Sequence, residues 1–188
     1  LRRPGDPWRH VWLSAGLGDS TLVSNRSKEL TSFFPLWLDS AGARRSNLDP
    51  ALLGEAVGPE QAFDYVLAVL FSPDYRRRFA PLLARGYPRI PPPSPALLAA
   101  LHPLGARLRR AILEPRAPST VEAPEAYTIG AYQPLQRLQG SSPERRAAVV
   151  ACITELAATA EAIDEALEDC GGWPRAGGDA IPPDHGQA

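Results

Sequence analysis

Seven side chains stand out as groups able to bond phosphate oxygens or the edge of a base: Ser24, Asn25, Arg26, Lys28, Arg44, Arg45 and Arg89. The first four belong to the run Ser24-Asn25-Arg26-Ser27-Lys28, between two predicted strands. A loop of this composition can bond phosphates through Ser and Lys and read a base edge through Asn or Arg. It is equally readable as an ordinary solvated loop. Arg44-Arg45, in a loop of small residues, carries the same two readings. Arg89 is held between Pro88 and Ile90, rigidly enough either to pair with a buried carboxylate or to touch a phosphate. Arg76-Arg77-Arg78 differs, because three consecutive helical positions fan over about 200° and cannot all face one ligand. We read that run as a solvated helix face.

Signatures of catalysis are missing. The chain has no Gly-rich phosphate loop, no Cys-x-x-Cys and no His-Glu-x-x-His. The Asn/Asp-Pro-Pro-aromatic loop and cofactor-binding Gly motif of an amino-methyltransferase are absent too. His10, His102 and His185 are scattered, which disfavours a metal site. Cys152 and Cys170 lie 18 residues apart, and a helix between them would hold them roughly 27 Å from one another, too far to pair. Reduced thiols point to the cytoplasm. No apolar run reaches the ~20 residues needed to cross a bilayer, so no membrane partner is expected.

The elements that must position these groups are announced by proline. Asp49-Pro50, Gly58-Pro59, Ser72-Pro73, Ser94-Pro95 and Ser142-Pro143 each place a capping residue before a proline at the first helical position. A missing N–H costs nothing there. Behind Pro59, Phe63, Val66, Leu67 and Leu70 share a helical face; behind Pro73, Tyr75, Phe79, Leu82 and Leu83 do the same. This predicts a tight helix–turn–helix unit that buries its aromatics: Phe63, Tyr65, Tyr75, Phe79 and Tyr87 read as packing residues rather than as a base-stacking platform. A helix from Pro95 should kink or restart at His102-Pro103. The longest helix is expected from about 143 to 168, with Val149, Val150, Ile153, Leu156, Ala160, Ile163 and Leu167 as its stripe, ending at Gly171-Gly172. Residues 10–13, 21–23, 33–38 and 127–129 read as short strands, and 89–95 as a stiff extended crossing. The fold class is therefore α+β, predominantly helical, in a single domain.

Charge is divided unevenly. Residues 1–116 hold 16 Lys/Arg against 10 Asp/Glu, a balance of +6; residues 117–188 hold 4 against 11, a balance of −7. A basic working surface followed by an acidic helix fits this division. Of the cations, 19 are arginine and only Lys28 is lysine. Bidentate grip of phosphate or guanine explains that bias, and so does a GC-rich coding sequence.

Several of these segments carry a resemblance. The run from Phe63 to Phe79, through Phe63-Asp64-Tyr65 and Ser72-Pro73-Asp74-Tyr75-Arg76, followed by Tyr87-Pro88-Arg89-Ile90-Pro91, resembles the C-terminal specificity domain of type ISP restriction-modification enzymes. Phe34-Pro35-Leu36-Trp37-Leu38 is similar to that family's Phe-Pro-Leu-aromatic element, and Tyr127-Thr128-Ile129-Gly130-Ala131-Tyr132-Gln133 to its Tyr-x-Ile-Gly-Gly-Tyr element, with Ala131 in place of the second glycine. Thr159, Ile163 and Asp164 fall in the closing helix. The likeness spans about residues 20–168, in five ordered elements.

The resemblance implies a DNA-target-recognition portion of an adenine-specific DNA methyltransferase or restriction-modification enzyme, with double-stranded DNA as partner and no catalysis of its own. Relatives include large methyltransferases of phage-defence systems. S-adenosylmethionine is expected in an upstream methyltransferase domain of the same polypeptide, and no cofactor in this segment. We expect residues 1–19 as a lead-in cut from a longer chain, 20–170 as the specificity domain and 171–188 as a flexible Pro/Gly-rich tail. The alternative is a structural or protein-interaction module of such an enzyme that has lost direct DNA reading.

Overall fold

The computed structural model describes residues 8, 11–16, 32–40, 42–48, 57–114 and 142–173. Among them, the hairpin β1 (Trp37–Ser40) and β2 (Ala43–Ser46) precedes five helices: α1 (Pro59–Phe71), α2 (Pro73–Arg78), α3 (Ala80–Leu83), α4 (Pro95–Leu113) and α5 (Pro143–Asp169). The fold is α+β and mainly helical. No described helix is long and apolar enough to cross a membrane.

Four of the five cap–proline pairs open helices as expected; Asp49-Pro50 lies outside the described residues. Ser72, Ser94 and Ser142 accept hydrogen bonds from the N–H groups of Tyr75, Leu97 and Arg145 at 3.0, 3.2 and 3.3 Å, satisfying donors that each helix start leaves over. Ser72 alone separates α1 from α2, closing the first and capping the second. The turn is therefore as tight as the sequence suggests. After Arg78 the helix breaks at Phe79 and resumes as α3, so Leu82 and Leu83 belong to a separate short turn. At the far end, Gly171 and Gly172 take φ of +83° and +86°. Their N–H groups bond the carbonyls of Glu168 and Leu167, a Schellman stop that side-chain-bearing residues resist.

Helix α1 packs most extensively on α4, and α4 on α5. Tyr65, Val69, Leu97, Leu101, Leu108 and Ile163 form the interior, with Leu167 and Trp173 closing one side. Each large apolar side chain so buried contributes about 1.5–3 kcal/mol. At Gly105 the two helices approach so closely that a Cβ would overlap the Asp64 carbonyl. This packing explains why Pro103 does not restart the helix: Leu101 before it, and Gly105 and Leu108 after it, are buried within one unbroken α4, while Pro103 itself is exposed.

Other departures are local. Residues 11–14 form no strand, and Val11 and Leu13 pack against the core together with Trp8. Of the segment 33–38, only Trp37 and Leu38 enter a strand. The expected strands at 21–23 and 127–129 lie outside the described residues. On α5, Ile153, Ile163 and Leu167 are buried as expected, but so is Thr159. Its hydroxyl donates to the Glu155 carbonyl at 2.7 Å, so this hydroxyl is not stranded. Trp173, placed by the sequence in a tail, is buried against Tyr75 at 5.7 Å between ring centroids. Cys152 and Cys170 are both free, and burial pushes the Cys152 thiol up from its ordinary range.

Candidate functional site

Arg44 and Arg45 do not lie in a loop. The register pairs Ser40 with Ala43, leaving two residues at the tip, and Gly42 supplies a φ of +84°. That tight tip continues the chain as strand, and strand geometry separates the two arginines. Successive side chains point to opposite faces, so Arg44 shares a face with Trp37 and Asp39, and Arg45 with Leu38. The Arg44 guanidinium lies over the Trp37 ring, 4.7 Å from its centroid. Both arginines are exposed. They can each bond an anion, but not the same one from the same face. Ser24, Asn25, Arg26 and Lys28 lie outside the described residues.

Arg89 resolves the choice that its neighbours left open. Its side chain is exposed and makes no ion pair with a described carboxylate, while its backbone belongs to the core. The Tyr75 hydroxyl donates to the Arg89 carbonyl at 2.7 Å, and the Tyr65 hydroxyl donates to the Pro91 carbonyl at 2.8 Å. Two buried tyrosines, one from α1 and one from α2, thus hold the extended crossing at two points, and Ile90, between those points in the chain, packs against the core. Burial pushes the Tyr75 hydroxyl up to about 12, against a smaller lowering by its bond to Arg89. Burial, then the neighbouring Tyr75, raises Tyr65 further still. Both remain protonated donors near neutral pH.

Residues 3–149 match the type ISP C-terminal specificity domain. The chain belongs to this family. No curated protein and no solved structure matches it. The match begins before the likeness read from the sequence and stops within α5. Geometry explains why the residues carrying the likeness occur together. In the aromatic-x-Tyr, Ser-Pro-x-Tyr-Arg and Pro-Arg-Ile-Pro elements, the tyrosines hold the crossing and the serine joins two helices. The arginine after Tyr75, Arg76, donates from Nε to the Leu70 carbonyl at 2.6 Å and lies over the Phe71 ring. It satisfies the end of α1 rather than forming a solvated face. Arg77 pairs with Asp74 at 2.7 Å.

Sequence reasoning missed three positioning carboxylates. Asp64, 6% exposed at its side chain, receives both Nε and a terminal nitrogen of Arg109 at 2.7 and 3.0 Å, which holds Arg109 well above its ordinary range. Asp164 accepts from the Ser72 hydroxyl at 2.5 Å and from the Asp74 N–H at 2.9 Å, tying α5 to the α1–α2 turn. Asp74 accepts the Trp173 indole N–H at 3.0 Å. The available signal was an acid on an otherwise apolar face, as at Asp64 beside Tyr65. Part of the basic excess is also paired within the chain, since the exposed Arg107 bonds Glu155 of the acidic helix.

Proposed function

We propose that this chain is the DNA-target-recognition portion of an adenine-specific DNA methyltransferase or restriction-modification enzyme, and that it performs no catalysis by itself. The family match over residues 3–149 carries this reading. The exposed guanidinium groups of Arg44, Arg45 and Arg89 support it. In this reading they contact duplex DNA together with Ser24, Asn25, Arg26 and Lys28. An upstream methyltransferase domain of the same polypeptide flips the adenine and methylates it from S-adenosylmethionine, in the cytoplasm.

The test is duplex affinity as a function of salt. A chain that neutralises several phosphates loses affinity steeply between ~50 and ~200 mM salt. Reversing charge at Arg26, Lys28 and Arg44 together should flatten that dependence; unchanged affinity removes these residues from the interface. Arg76, Arg107 and Arg109, each already engaged by a partner within the chain, favour one rival. In it the domain is a structural module that binds the methyltransferase part and no duplex, even at low salt.

A further inference from the structure

Tyr87 was expected in the core and is not there. Tyr87 is 69% exposed, as is Phe34, and Phe33 is 42% exposed. Phe34 and Tyr87 meet edge to face, with centroids 5.5 Å apart and planes at 83°. The Ser32 and Tyr87 hydroxyls share a hydrogen bond of 2.8 Å. The two rings thus brace one another, Tyr87 also through its hydroxyl, while both residues remain mostly exposed. Large aromatics left in contact with one another and with solvent mark a binding surface more often than a packing residue.

The surroundings indicate what binds. Arg85 and Arg89 stand two residues to either side of Tyr87, so their backbones lie within about 7 Å of it. Neither makes an ion pair with a described carboxylate. Trp37, which carries the Arg44 guanidinium, is three residues beyond Phe34, within about 11 Å. An apolar protein partner covering the rings would bury Arg85 and Arg89 without counter-charges among the described residues. A nucleic acid offers a base face for a ring and phosphates for the arginines. The surface is also preorganised, because Pro88 follows Tyr87 and the next carbonyls are held by Tyr75 and Tyr65, which lowers the entropy lost on binding.

We infer that the Phe34–Tyr87 pair is a stacking contact for an unpaired nucleobase, with Arg85 and Arg89 holding the adjoining phosphates; this rests on the DNA-binding reading above. The test compares a fully paired duplex with the same duplex carrying one unpaired fluorescent adenine analogue, whose emission falls on stacking. The chain should bind the second duplex more tightly and quench it. Tyr87→Ala, and independently Phe34→Ala, should weaken that binding about tenfold and abolish quenching, with salt dependence unchanged. Tyr87→Phe should restore it, and Arg89→Ala should lower the salt slope by about one ion. Both alanine variants remove exposed rings, so circular dichroism should match the parent. Equal affinity of parent and variants for both duplexes overturns the stacking contact and leaves DNA binding intact. Failure to bind either duplex overturns the DNA reading and the stacking contact with it.

Discussion

In the helical body, polar groups are aimed inward at backbone: Tyr65 and Tyr75 donate to the carbonyls of Pro91 and Arg89, and Ser72 and Asp164 join three helices. On the hairpin side the pattern is reversed, with Arg44 and Arg45 exposed and Phe34 and Tyr87 largely in water. Arg89 belongs to both, its carbonyl held by the body and its guanidinium turned out. The contrast shows how such a domain can vary its contacts without losing its fold. The tyrosines that position the crossing act through backbone atoms, which every residue has, so the outward side chains there carry little of the stability.

Substitutions can break or sharpen this contrast. The largest effect is expected at Tyr65: Tyr65→Ala leaves a cavity among buried side chains and should cost about 3–5 kcal/mol in denaturant unfolding. A loss below ~1 kcal/mol would mean that the body does not anchor the crossing. Tyr75→Phe keeps the ring and strands the Arg89 carbonyl, for a loss of about 1 kcal/mol at neutral pH. It should also change the alkaline limb. Between the ordinary tyrosine value of 10.0 and about 12, the unfolded chain releases this proton while the folded chain keeps it. Stability therefore falls as pH rises through that window. In Tyr75→Phe, unfolding free energies measured across it should fall less steeply, with the Tyr65 contribution remaining. The smallest stability effect is expected for Arg45→Ala, within ~0.5 kcal/mol, although the salt slope of duplex binding should drop by about one ion. A destabilised Arg45→Ala would place the hairpin with the body.

Much of the helical body was legible because its signals are local. A capping residue followed by proline, the apolar faces behind it and the Gly171-Gly172 stop are properties of a few neighbouring residues. Four helix starts and the end of α5 followed from them. The hairpin was misread because its tip depends on one glycine conformation at Gly42, which turned an expected loop into a strand and separated Arg44 from Arg45. Tyr87 was grouped with Tyr65 and Tyr75 as a packing aromatic. Chemical type alone could not distinguish two tyrosines on buried helix faces from one that follows a short turn and meets Phe34.

Chain-local energetics were therefore set by the sequence: where helices begin and where they stop. The buried face of α1 was not, since Tyr65, Ala68 and Val69 lie inside while Phe63, Val66 and Leu70 are only half-buried. Tertiary structure alone decided which acids became structural and which cations remained outside. Asp164 and Asp64 acquired partners 92 and 45 residues away, and Arg89 faced outward only because tyrosines from two helices hold its backbone from within. Such pairings depend on the relative placement of whole helices. That placement is fixed by close approach, as at Gly105 against Asp64, and not by any local run of residues.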